Sequence, residues 1–161
     1  MRVIGIDPGT AVTGYGVVEA IGNRLQAVAY GVIRTRSGLP AATRLEKIYS
    51  GLKEVIAEHK PQVASVEKLF VSRNPAVALA VGQARGVSLL AAANSGLVVA
   101  EFSALEVKQA VVGYGKADKS QVQQMVKVLL GLSEIPRPDD AADALAVAIC
   151  RLHTVPIQEG D

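Results

Sequence analysis

At 161 residues the chain has the length of one domain with a real hydrophobic core, and 50% of its residues are hydrophobic against only 4% aromatic, so that core is aliphatic. Its 17 Lys+Arg and 15 Asp+Glu give a formal charge of +2, which by itself points to no partner. No apolar run reaches the roughly 18 residues of a membrane span, and no basic segment with a signal-type core opens the chain; no membrane and a cytoplasmic location are expected. The single cysteine, Cys150, has no partner in the chain and reads as a small core residue.

Arg2 to Ile6 form a short apolar strand ending on Asp7, and Pro8-Gly9-Thr10 then turns the chain. Thr13 to Glu19 and Arg24 to Thr35 are strand-like, joined by a hairpin signal at Gly22-Asn23, so the first three strands form an antiparallel meander. Leu45, Ile48, Tyr49, Leu52, Val55 and Ile56 recur at helical spacing up to Pro61. Residues 62–67 form a buried strand that ends on Glu67. Asn74-Pro75 starts the next helix as N-cap and first residue, and Ala and Val on most faces predict a largely buried helix to about Asn94. Leu97 to Phe102 form a fifth strand.

Ser103-Ala104-Leu105-Glu106 and Asp118-Lys119-Ser120-Gln121 are capping boxes. The first opens a short helix to near Gly113; the second opens one with Val122, Met125, Val126, Leu129 and Leu130 on one face, closed by Gly131. After Pro136 and Pro138 a last helix runs from about Asp139 to His153, with Asp139 read as its N-cap. This order predicts an α/β domain over residues 1–153, a five-stranded mixed sheet with helices on both faces, and a short polar tail over 154–161.

Asp7 and Glu67 end strands that should be neighbours, and Asp140 and Asp143 share one face of a helix start. Acidic residues are common in a first helical turn for reasons of the helix dipole, and an Asp before Pro-Gly is a common turn initiator. The conjunction of four is the stronger signal. Converging carboxylates cannot all stay ionised without a cation, and oxygen ligands suit Mg²⁺ or Mn²⁺. Two such ions can clamp the attacking and leaving oxygens of a phosphodiester, so the chain reads as a metal-dependent nuclease with two Mg²⁺ per site and Mn²⁺ able to substitute. With the four acids set aside, 17 basic residues face 11 acidic ones, a mildly basic surface compatible with phosphates. Phe70 between Lys68 and Arg73 either packs under its loop or stacks on bases. Lys108, Lys116 and Lys119 flank the mobile-looking Gly113-Tyr114-Gly115 and are candidate phosphate contacts, as is Arg73. Arg85 is either structural or reaches a partner surface.

Six blocks then stand in order: Gly5-Ile6-Asp7-Pro8-Gly9-Thr10, Val66-Glu67-Lys68-Leu69-Phe70, Gly82-Gln83-Ala84-Arg85-Gly86, Val107-Lys108-Gln109, Lys119-Ser120-Gln121-Val122 and Asp140-Ala141-Ala142-Asp143-Ala144-Leu145-Ala146. Over roughly residues 1–153 the chain resembles bacterial Holliday-junction resolvases of the RuvC type. The resemblance implies a ribonuclease H-like fold and a homodimer. It also implies Mg²⁺-dependent paired nicking of four-way DNA junctions, and work beside a branch-migration helicase complex of the RuvA and RuvB type. By motif it makes Asp7, Glu67, Asp140 and Asp143 the catalytic acids, Phe70 the base-contacting aromatic, and Lys108 and Lys119 the DNA contacts near the site. The doubled Asp139-Asp140 is a local departure from the pattern.

Direct hydrolysis to a 5′ phosphate and a 3′ hydroxyl is expected, since no Ser, Tyr or Cys sits beside a clear base. Three alternatives stand beside this reading: an ATPase or sugar-kinase-like protein, which 161 residues disfavour; a junction-binding module without turnover; and an RNA-directed hydrolase of the same fold.

Overall fold

The structure, a computed structural model, describes residues 1–68 and 73–155. In chain order the elements are β1 (Arg2–Asp7), β2 (Val12–Ile21), β3 (Arg24–Arg34), α1 (Ala41–His59), β4 (Val63–Glu67), α2 (Pro75–Asn94), β5 (Val98–Phe102), α3 (Ala104–Val111), α4 (Lys119–Leu129) and α5 (Asp139–Thr154). The strands lie in the order β3-β2-β1-β4-β5. β1 to β3 are antiparallel neighbours, whereas β4 runs parallel to β1 and β5 parallel to β4. This is the five-stranded mixed sheet that the sequence predicts.

Alternation along β1 divides the core. Ile4 and Ile6 join Val17, Ala64 and Val66 on the face covered by Ile48, Leu52 and Ile56 of α1 and Ala84, Ala91 and Ala92 of α2. Val3 faces the other way, with Val18 and Val63, onto Val107 and Val111 of α3, Val122 and Val126 of α4, and Leu145 to Cys150 of α5. The thiol of Cys150 is fully buried there, as expected of a core residue. α5 is the central cover of this layer, and three strand glycines let it lie close. A Cβ on Gly5 would stand 1.9 Å from the Ala144 carbonyl oxygen, one on Gly14 2.0 Å from that of Asp140, and one on Gly16 2.6 Å from Leu145 Cδ2.

Local signals set most boundaries. The capping boxes Ser103/Glu106 and Asp118/Gln121 are both formed, and Asn74 Oδ1 accepts from the Ala76 N–H at the start of α2. Gly22 takes φ +59 in the β2–β3 hairpin and Gly131 φ +63 past α4, conformations that favour glycine.

Three expectations are corrected. Asp139 does not cap α5: the helix starts at Asp139 itself, Pro138 holds the N-cap position, and the Pro138 carbonyl accepts from the N–H groups of Ala141 and Ala142. α2 is not largely buried, because only Ala84, Ser88, Ala91 and Ala92 are enclosed, while Val77, Leu79 and Leu90 stand exposed. α2 is also long and apolar enough to cross a membrane by length and composition, with mean hydropathy 1.5. A search for uninterrupted apolar runs passes over it because Gly, Gln, Arg and Ser interrupt the Ala, Val and Leu. Here it packs on α1 and β5, and its Arg85 pairs with Glu101.

Candidate active site

Parallel pairing of Ile6 with Val66 sets the ends of β1 and β4 side by side, so Asp7 and Glu67 leave the sheet on the face covered by α5. The Asp7 turn is tied from several sides. The buried Thr13 hydroxyl donates to the Gly9 carbonyl at 2.6 Å, Thr10 Oγ1 donates to the Ala80 carbonyl of α2 at 3.0 Å, and Thr35 Oγ1 donates to the Thr10 carbonyl at 2.5 Å. On β4, Ser65 Oγ donates to the Val147 carbonyl of α5 at 2.8 Å, tying the Glu67 strand to the helix that carries Asp140 and Asp143. The close approach of α5 at Gly14, the register partner of Asp7, brings Asp140 beside Asp7.

Asp7, Glu67, Asp143, Lys108 and Lys119 line one cavity of about 230 Å³, whose remaining wall is Ala104, Val107, Val122, Ala146 and Val147. Asp140 stands off this wall, yet its charge acts on Asp7. Burial, then the charges of Asp143 and Asp140, then a side-chain hydrogen bond with Asp140 and the charge of Glu67, push the Asp7 carboxyl up to about 8. Burial raises Glu67, with Asp143 adding to the effect and Lys108 opposing it. Burial also raises Asp143, against the charge and hydrogen bond of Lys119.

Lys119, the first residue of α4, sets its Nζ 3.4 Å from Asp139 Oδ2 and 3.5 Å from Asp143 Oδ2. Burial pushes its ammonium down, but the charges of Asp143 and Asp139 outweigh this and its pKa lies above the ordinary lysine value. Among the described residues, no three His, Cys, Asp or Glu side chains are set as a finished metal site. The donors nevertheless fit a hard divalent cation: all are carboxylate oxygens, and burial raises three of the four acids above their ordinary values in the protein alone.

The other expected contacts lie further out. Lys116 is exposed in the α3–α4 connection and Arg73 is exposed just before the α2 N-cap, both away from the cavity wall. Phe70 lies outside the described residues. Of the two readings of Arg85 the structure shows the structural one, and the contacts of Asp139 escape the sequence reading. Arg85 of α2 pairs with Glu101 and donates from Nε to the Glu67 carbonyl at 3.5 Å, bracing the strand end from the opposite face. Asp139 engages both Lys119 and Gln123, a role hidden behind its expected capping function.

The model of the family described as crossover junction endodeoxyribonuclease RuvC matches residues 3–151. A crossover junction endodeoxyribonuclease RuvC of Desulforamulus reducens is 59% identical over 150 residues, covering 93% of this chain and 92% of the relative. One of Heliobacterium modesticaldum is also 59% identical, over 155 residues and 96% of both chains. Among solved structures, Thermus thermophilus RuvC in complex with a Holliday junction substrate superposes with a TM-score of 0.91 at 38% identity, covering 95% of this chain and 93% of that one. The sheet order, the helices that cover it and these matches agree on a ribonuclease H-like fold of the RuvC kind, and the chain belongs to the RuvC family of crossover junction endodeoxyribonucleases.

Proposed function

We propose that Asp7, Glu67, Asp140 and Asp143 are the catalytic acids of this family member and hold Mg²⁺, two ions per site, with Mn²⁺ able to substitute. The chain is an endonuclease that resolves Holliday junctions, an enzyme of DNA recombination and repair. The observation that carries the site assignment is the cavity in which Asp7, Glu67 and Asp143 meet Lys108 and Lys119, with Asp140 alongside. Divalent ions held by these carboxylates would supply a water nucleophile at neutral pH and stabilise charge on the leaving oxygen. The protein's part is positional. The end of β1 fixes Asp7, Ser65 ties β4 to α5, and the first two turns of α5 carry Asp140 and Asp143. Lys108 favours the ionised form of Glu67 and, with Lys119, offers positive charge to the scissile phosphate. Arg73 and Lys116, exposed beyond the cavity, contact the flanking backbone, and Phe70 contacts bases at the crossover.

The nuclease unit spans residues 1–153 and acts as a homodimer in the cytoplasm, beside a branch-migration helicase complex of the RuvA and RuvB type. Two sites related by a two-fold axis match the symmetry of a junction, giving paired nicks that leave 5′ phosphates and 3′ hydroxyls. The deciding experiment is cleavage of a synthetic four-way junction with a mobile core, in Mg²⁺ and in EDTA, beside a linear duplex of the same sequence. Symmetric nicks on the junction only, and only with Mg²⁺, are the expected result. Tight binding without cutting in Mg²⁺ and in Mn²⁺ would leave a binding module.

A further inference from the structure

The start of α4 is fastened to the first residue of α5 through one side chain. Lys119 and Gln123 are four apart on α4 and share a face. Both reach Asp139: Gln123 Nε2 donates to Oδ1 at 3.1 Å, and Lys119 Nζ lies 3.4 Å from Oδ2. Asp139 therefore uses its two oxygens on two different residues of α4, and it lies off the cavity wall on which Asp143 and Lys119 stand. Lys119 in turn divides its ammonium between Asp139 and Asp143.

We infer that Asp139 is a positioning residue for Lys119: it keeps the ammonium at the rim of the cavity when Asp143 turns to another cation. This rests on the reading of Asp143 as a metal ligand and of Lys119 as a phosphate contact. A lysine with Asp143 as its single anchor would lose that anchor on metal binding and swing into solvent, as a long exposed side chain does. With Asp139 as a second anchor, and Gln123 fixing the rotamer of Asp139, Lys119 stays within reach of a phosphate lying over the acids. Asp139 also places a negative charge near the DNA path, so it opposes binding while it assists the reaction.

These two effects separate in kinetics. In Asp139→Asn the amide retains the shape and an acceptor for Gln123 but loses the ion pair. The expected outcome is junction binding as tight as the parent or tighter, with the single-turnover cleavage rate at saturating protein down by about tenfold, the scale of a modest misplacement of a reacting group. The melting temperature should stay put, because exposed ion pairs contribute little to stability. In a Lys119→Met background the same substitution should leave the cleavage rate unchanged, since its effect runs through the lysine. An unchanged rate in Asp139→Asn, or an equal loss with and without Lys119, overturns the inference. Full cleavage by Lys119→Met overturns it too and removes Lys119 from the reaction. The metal assignment of Asp143 is tested separately by metal titration of Asp143→Asn followed by heat stability.

Discussion

Asp7 shows how one residue couples stability to cation binding. Its carboxyl is pushed up to about 8, by burial first and then by the charges of Asp143 and Asp140. The ordinary value is 3.8, so between these limits the folded, metal-free protein holds a proton that the unfolded chain releases. Stability from this group is greatest below about 3.8 and is lost as pH rises through about 8. Asp7→Asn removes this titration together with the charge that Asp7 lends to Asp143, Asp140 and Glu67, so the comparison reads the cluster as a unit. In EDTA the variant should melt a little above the parent at pH 5 and much further above it at pH 9, the gap in stability growing by an amount on the order of a few kcal/mol. Mg²⁺ at pH 9 should raise the parent more than the variant. A melting difference that does not change with pH in EDTA would refute the burial and repulsion ascribed to Asp7. The same variant should bind a four-way junction like the parent and cut it at least ~10²-fold more slowly, as expected when a metal-site carboxylate is lost. Gel-shift titration beside a cleavage time course reads both, and substantial residual Mg²⁺-dependent cutting would remove Asp7 from the ligands.

At the scale of elements, the site depends on how closely α5 lies on the sheet. Gly14 faces the backbone of Asp140, and a methyl group there would sit 2.0 Å from its carbonyl oxygen. Backbone cannot rotate away as a side chain can, so Gly14→Ala must lift the start of α5 and with it Asp140 and Asp143. The expected cost is ~1–3 kcal/mol of stability, the range for overpacking, with a loss of cleavage larger than that destabilisation explains at a temperature where the variant is fully folded. Thermal melts and junction cleavage at 25 °C check both, and full activity would show that the acids do not need this approach. The sequence announced the elements well where the signal was local: Ser103 with Glu106, Asp118 with Gln121, Asn74 before Pro75, Gly22 in the hairpin. Strand ends and helical spacing also pointed to a convergence of acids, and the structure brings Asp7, Glu67 and Asp143 to one cavity with Asp140 beside Asp7. The sequence did not announce that Gly5, Gly14 and Gly16 form the seat of α5, because those contacts join segments more than a hundred residues apart. Nor did it separate Asp139 as a cap from Asp139 as a partner of α4, since both readings use an acid at a helix start and only the neighbouring helix decides.

At the scale of the whole molecule, α2 presents more apolar surface than one chain covers. Leu79, Gly82, Gly86 and Leu90 fall on one stripe of the helix by their spacing. Leu79 is 65% and Leu90 52% exposed, and among the described residues nothing beyond the helix's own backbone and chain neighbours lies within 4 Å of a Cβ built on Gly82 or Gly86. Two leucines flanking two glycines suit close approach of a second helix, and a two-fold axis would set this stripe against itself. A homodimer joined through this stripe would carry two sites on one particle, as the proposed paired nicking requires. The double substitution Leu79→Glu with Leu90→Glu would bring four carboxylates into a two-fold contact. Each buried charge costs several kcal/mol, so dimerisation should weaken by at least ~10²-fold. Light scattering at micromolar protein should then give 16.8 kDa in place of twice that mass. The cavity acids are untouched, so the monomer should keep slow, Mg²⁺-dependent nicking at single strands while linear product from coupled nicks disappears. A parent chain that is itself monomeric at micromolar concentration would remove the dimer. A variant that stays dimeric would place the contact on another face. A monomeric variant that still makes coupled nicks would separate assembly from the pairing of cuts.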